Sequence, residues 1–268
     1  MIGTDGRKLL LHSRESPAAD GLTVRVTPEW AGWSHVGFEV YRLPRGAELT
    51  PQLDSRELCA VVLGGEVHVR LGAEKPIESL GARSDVFEGP PDALYLPPGS
   101  NAVLTAKSGG AEVALCWAPA TAGVEPQVIR AGDVRVYTRG ADRTLRTIRD
   151  VLMMDRAAES LLVTEVITPG GNWSSYPPHK HDTDDPPRET YLEETYFHRT
   201  KRSDGVAFQR VYTADGSLDV SFAVRDRDVV LVPCGYHPVA AEPGCDLYYI
   251  NVMAGPRRDW RVTIQPGY

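Results

Sequence analysis

Apolar residues in this chain come in short runs, often alternating with polar ones and punctuated by Gly and Pro, the pattern of half-buried strands. Such runs predict strands at Cys59 to Leu63, Glu66 to Leu71, Ala93 to Leu96, Ala102 to Thr105, Glu112 to Trp117, Val206 to Thr213, Val229 to Val232 and Leu247 to Val252. Gly64-Gly65 between the first two reads as the turn of a hairpin. A long segment of 3.6-residue periodicity is hard to find. The pattern therefore predicts an all-β sandwich or barrel.

Matched spacing predicts that the barrel is built twice. Pro97-Pro98-Gly99-Ser100-Asn101 follows the apolar run Ala93 to Leu96, and Pro233-Cys234-Gly235-Tyr236-His237 follows Val229 to Val232. Glu57 opens one apolar run and Glu194 opens another; the offsets are 137 for the glutamates and 136 for Asn101 and His237. The small and polar stretch Ala118 to Gly123 suits a boundary, dividing the chain into residues 1–124 and 125–268. The copies differ in chemistry, because the first has Asn101 where the second has His237. It also lacks a His-x-His before Glu57. Metal ligands are expected in the second barrel alone.

Alternate side chains on a strand share a face, so His179 and His181 form a two-pronged clamp if their segment is extended. On a helix the same spacing would splay them by roughly 200°. With Glu194 and His237 they make a candidate set for one divalent ion, Zn, Mn, Fe, Ni or Co. Glu193 competes with Glu194 but has the opposite parity and is expected on the outer face. Tyr196 and His198 share the parity of Glu194, which makes them candidates for proton exchange with substrate. Arg210 is the candidate cation for an anionic substrate, and Tyr212, Tyr249 and Asn251 are candidate substrate contacts. His12, His35 and His68 are assigned to surface or core, and Asp182 to Asp185 to a solvated loop at the barrel mouth.

Composition narrows the function. A net charge of −7 offers nucleic acid no attraction, and no apolar run is long enough for a membrane span or a signal peptide, so a cytoplasmic address is expected. The 4 cysteines are too few and scattered for a disulfide framework and read as small buried thiols.

The pattern Gly171…His179-x-His181…Glu194…Pro233-x-Gly235-x-His237 resembles the two motifs of the cupin superfamily, double-stranded β-helix (jelly-roll) barrels. Two departures, the long stretch Asp182 to Glu193 and the short Gly235-to-His237 spacing, point to one family within it. Gly170 to Asp182, Tyr191 to Glu194, Phe208 to Thr213, Gly235 to Val239 and Tyr248 to Pro256 closely resemble the bicupin 5-deoxy-glucuronate isomerases of inositol catabolism. The resemblance is dense from residue 160 to 260 and thinner earlier, through Gly37 to Val40, Arg56 to Cys59 and Val86 to Gly89. It implies two tandem cupin barrels and a metal-dependent aldose-ketose isomerase converting 5-deoxy-glucuronate to 5-keto-2-deoxy-gluconate. It also implies a metal on His179, His181, Glu194 and His237. Cys234 stands where many relatives carry Arg, and Arg146 to Arg149 replaces a stretch that often ends in His. Alternatives are an isomerase of the keto-uronate from pectin breakdown, a metal-dependent cupin dioxygenase and a non-enzymatic sugar-acid sensor or storage protein. The long stretch from Asp182 to Glu193 weighs against the first. A small sugar acid is the expected partner, and a homodimer or larger homo-oligomer is left open.

Overall fold

The computed structural model of the protein describes residues 9–72 and 77–268. Strands dominate it; the α-helix among the described residues is the single turn Pro28–Ala31, and no helix there is long and apolar enough to cross a membrane. In the first half, Leu22–Val26, Gly37–Leu43, Ala102–Pro119, Arg56–Leu71, Ala93–Leu96 and Gln127–Ile129 join in that order. In the second half the order is Leu10–Leu11, Val229–Val232, Glu193–Thr200, Leu247–Ala254, Leu162–Thr168, Arg146–Leu152 and Arg135–Arg139. A further sheet, Trp173–Ser174, Val239–Ala241, Ala207–Tyr212 and Asp219–Val224, completes this half. The halves exchange edge strands, since Leu10–Leu11 pairs with Val229–Val232 and Gln127–Ile129 with Ala93–Leu96. The expected strands are present, as two tandem cupin barrels.

One expectation is corrected. Cys59 to Leu71 is not a hairpin, because both halves pair with the same partner, Ala102–Pro119, as one strand, Arg56–Leu71. Gly64 and Gly65 turn a corner there: the register shifts on either side of them, and Gly65 has φ +80°. A Cβ on Gly65 would lie 2.3 Å from the Gly110 carbonyl oxygen, so the bend requires glycine. The sequence signal of a turn marks a β-bulge that carries one strand around the barrel.

The pairing register also corrects the internal repeat. Glu57 sits opposite Ala118 and Glu193 opposite Ala254, so the counterpart of Glu57 is Glu193, with the same offset of 136 that relates Asn101 to His237. The counterpart of Glu194 is Leu58. Strand alternation then separates two environments. Leu58, Ala60 and Val62 fill the apolar interior of the first barrel, while Cys59, Val61 and Leu63 belong to the core shared with the second. Glu194, Tyr196 and His198 point into the second barrel, and Glu193, Phe197 and Arg199 toward the first; Phe197 meets Phe38 at 5.7 Å between ring centroids.

Glu57 and Glu193 do the same work in opposite directions. The Glu57 carboxylate accepts the backbone N–H groups of Glu159, Ser160 and Leu161 at 2.8, 2.6 and 2.6 Å. The Glu193 carboxylate accepts those of Ser34, His35 and Val36 at 2.7, 2.7 and 3.0 Å. Each barrel thus holds the start of the other's central strand. Between the clamps, Arg83 grips Glu165 with two hydrogen bonds of 3.0 and 2.6 Å, and Tyr248 donates to Glu165 at 2.8 Å. Three N–H groups, one of them buried and two partly buried, lose their acceptor when either clamp is cut, so Glu57→Ala and Glu193→Ala are each expected to cost about 3 kcal/mol. The shift in the urea midpoint measures it, and near-wild-type stability of both variants contradicts the clamp.

Candidate metal centre

The site begins with a turn that only glycine permits. Strand Val229–Val232 ends at Pro233, and Gly235 takes φ +84°, where a Cβ would lie 2.3 Å from the Tyr212 carbonyl oxygen. The turned backbone holds the Nδ1 of His237 against the Gly235 carbonyl at 2.9 Å, and the Gly235 N–H donates to Asp182 at 2.8 Å. His179 lies on the short strand His179–Lys180, paired with Thr263–Ile264 from the end of the chain. Its Nδ1 meets the Pro177 carbonyl at 3.2 Å, and that of His181 meets the Leu192 carbonyl at 3.0 Å.

This arrangement fixes the chemistry of the three rings. A carbonyl only accepts, so each Nδ1 must carry its proton, and in a neutral ring Nε2 is then a bare lone pair. The Nε2 atoms of His181 and His237 face one oxygen, Glu194 Oε2, at 3.1 and 3.2 Å. Acceptors converging on an acceptor need a cation between them, either a proton or a metal ion. Among the described residues His181, Glu194 and His237 bring their ligand atoms within 4.8 Å of one another. His179 stands outside that group, its ring 4.9 Å from that of His237 and 6.3 Å from that of His181. Burial, with His181 adding to it, lowers the pKa of His179 to about 4, and burial drives His237 well below its ordinary value. Burial also opposes charge on His181, but the hydrogen bond and charge of Glu194 outweigh it and raise its pKa. The donor set fits a divalent ion: neutral imidazole lone pairs and one carboxylate, in a buried pocket.

Asn251 donates its amide to the other oxygen of Glu194 and so orients the carboxylate. Beside it lies a half-open cavity, bordered by His179, Glu194, Tyr196, Tyr249, Asn251, Asp150 and others. Ser175 joins the hydroxyls of Tyr196 and Tyr249, at 3.0 and 3.4 Å. Burial keeps both phenols protonated, their pKa raised above the usual value.

Three residues take other places than the sequence suggests. Arg210 projects from the outer face of Ala207–Tyr212 and is bound to Asp219 by hydrogen bonds of 2.8 and 2.7 Å. In that strand Gln209 alternates inward and Arg210 outward, which is why it does not reach the cavity. Tyr212 packs on Tyr236 and donates to Gln265, away from the cavity lining. His198 is 0 % exposed, behind Tyr196, with Nε2 on Gln209 at 2.9 Å, and does not border the cavity. Glu193 is outside the barrel as expected, yet only 1 % exposed because the first barrel covers it. Of the two differences from the resembled family, Cys234 is half-buried in the turn and off the cavity lining, whereas the stretch Arg146 to Arg149 puts Arg146 and Ile148 on that lining and buries Arg149 against Glu165. Sequence reasoning missed Tyr137, Asp150 and Trp260, which border the cavity from distant strands and the end of the chain. The loop from Asp182 is tied down by Lys180, which pairs with Asp182 at 2.5 Å and Glu189 at 2.9 Å.

Two cupin barrels with a buried His/Glu cluster inside one of them define a bicupin with a candidate metal centre. The chain belongs to the KduI/IolB family, whose profile matches residues 10–268. It is 46% identical over 260 residues to the 5-deoxy-glucuronate isomerase of Geobacillus kaustophilus, covering 97% of this chain and 94% of that one. It is 47% identical over 258 residues to that of Geobacillus thermodenitrificans, covering 96% and 93%. The crystal structure of an IolB-like protein from Salmonella typhimurium LT2 superposes with a TM-score of 0.92 at 43% identity, covering 96% of each chain. A Bacillus subtilis oxalate decarboxylase variant matches with a TM-score of 0.64 at 14% identity, over 96% of this chain and 79% of that one; this likeness shows the fold alone.

His198 supplies a pH test independent of the metal ligands. Burial lowers its pKa from 6.5 to about 4, so the unfolded chain takes up a proton that the folded protein resists. The stability it contributes is complete above 6.5 and is lost as pH falls toward 4, on the order of 3 kcal/mol. Urea unfolding at pH 7 and pH 4.5 is expected to show this loss shrink in His198→Gln; an unchanged pH slope contradicts it.

Proposed function

We propose that this protein is a metal-dependent 5-deoxy-glucuronate isomerase, moving a proton between adjacent carbons to convert the aldose to 5-keto-2-deoxy-gluconate. The single observation that carries the reading is the convergence of two imidazole nitrogens on Glu194 Oε2 at the edge of a cavity in a chain of this family. Residues 125–268 would form the metal-binding barrel, with His179, His181, Glu194 and His237 as ligands, and residues 1–124 the barrel that braces it. The close relatives carry the name 5-deoxy-glucuronate isomerase, which favours that substrate over the pectin-derived keto-uronate. A cytoplasmic location fits such a catabolic step.

A bound divalent ion supplies Lewis acidity toward the carbonyl and neighbouring hydroxyl oxygens of the sugar. The chain's own residues do the rest. Asn251 keeps the Glu194 carboxylate turned to the ligand cluster. The Tyr196 and Tyr249 hydroxyls are protonated and linked through Ser175, whose single O–H serves one of them, so one phenol O–H is left to donate into the cavity where negative charge develops on sugar oxygen. Asp150, buried and paired with Arg135 at 2.5 Å, is the carboxylate bordering the cavity outside the ligand set, and in this reading it accepts the migrating proton.

Metal-loaded protein is expected to form ketone from 5-deoxy-glucuronate without consuming oxygen, to lose activity with chelator and to regain it with divalent metal. Conversion of the pectin-derived keto-uronate in its place, or oxygen uptake, sinks this assignment. His237→Ala should lose metal on elemental analysis. Asp150→Asn should keep its metal yet fall in kcat by about 10²–10⁴-fold. Wild-type kcat in that variant removes Asp150 from the mechanism.

A further inference from the structure

Two arginines on neighbouring strands, Arg139 and Arg146, face each other directly in the pairing register, and both border the cavity that holds His179 and Glu194. Like charges placed opposite one another destabilise a sheet, so the pair needs a compensating reason. Among the described residues neither is engaged in an ion pair with a carboxylate. Arg146 is only 6 % exposed, and its partners are two neutral carbonyls, Thr144 at 2.9 Å and Tyr176 at 2.8 Å. These bonds aim the guanidinium and use two of its five N–H groups. Burial weakens the hold of Arg146 on its charge, and Arg139 adds to the effect.

The other buried arginines make the contrast. Arg83 and Arg149 share Glu165, and Arg199 has Asp226, Glu112 and Asp85. Arg210, the cation that strand alternation removes from the site, is matched by Asp219. Arg146 is a held, buried cation whose counter-charge the protein does not provide. Its position suits a ligand that reaches the histidine cluster: Arg139, Arg146, His179 and Glu194 border one cavity, and Ile148, Val166 and Met253 belong to its apolar lining.

Resting on the isomerase reading, we propose that Arg146, with Arg139 at the mouth, binds the carboxylate of the sugar acid and so selects uronates over neutral aldoses. A guanidinium fork matches a carboxylate with two parallel hydrogen bonds, and substrate binding then supplies the missing negative charge.

The test compares 5-deoxy-glucuronate with 5-deoxyglucose, which carries a hydroxymethyl group in place of the carboxylate, on metal-loaded enzyme of verified metal content. Wild type is expected to favour the acid in kcat/KM by about 100-fold, and Arg146→Met to collapse that ratio mainly through a higher KM for the acid. Arg146→Lys should recover part of it, keeping the charge but losing the fork. Arg139→Gln, at an exposed position, carries the test if Arg146→Met fails to fold, and should reduce the ratio in the same direction. A ratio that stays at the wild-type value in these variants, or a wild type indifferent to the carboxylate, overturns the proposal. Calorimetry with the borohydride-reduced, unreactive acid separates this from failure of the isomerase reading. Binding by wild type that is lost in Arg146→Met supports the carboxylate site even where no turnover occurs, and equal binding by both rejects it.

Discussion

The three hydrogen bonds from Ser34, His35 and Val36 to Glu193 fix the central strand of the second barrel to the first, and the site depends on that anchorage. Strand alternation has a period of two, so anchoring Glu193 outward turns Glu194 inward, and Tyr196 and His198 with it. A slip of one residue would put Thr195 and Phe197 in the cavity and bury Glu194 against the core of the first barrel. Two adjacent glutamates thereby divide the labour, one setting register and the other meeting the histidines.

This division explains why a barrel without ligands is retained. The first barrel fills its interior with Leu58, Ala60, Val62 and their neighbours, and such packing makes it a rigid support. Its counterpart carries Glu194, Tyr196 and His198 at the corresponding positions, which no apolar core could stabilise from within. The second barrel recovers stability on its outer face, through the core shared between the barrels, the Arg83–Glu165 pair and the reciprocal glutamates. A polar cavity is tolerated because the other side of the same sheet is buried.

Within the cavity, charge is arranged by what is left unpaired. The lone pairs of His181 and His237 converge on a carboxylate oxygen and call for a cation; Arg146, held by carbonyls, calls for an anion. By contrast, the buried charges of Glu165 and Arg199 are matched by opposite charges within the chain. The two mismatches lie in the same barrel, beside one cavity, which is where bound metal and substrate would complete them.

Local features of the sequence determined a good deal. Alternation predicted the strands, the His-x-His spacing and the Pro-x-Gly-x-His turn named the metal candidates, and the matched offset announced the second barrel, because each of these rests on a period or a turn encoded in adjacent residues. What crosses between strands was decided by the tertiary structure. The bulge at Gly65, the identity of Glu193 as the partner of Glu57, and the outward aim of Arg210 follow from pairing register, which the sequence carries only as a weak sum of contacts. Arg146, Asp150 and Trp260 reach the cavity because sheet order brings distant segments together, and nothing in their neighbours along the chain marks them. The sequence specified which groups can bind a metal; the fold decided that Arg146 stands beside the cavity without a counter-charge.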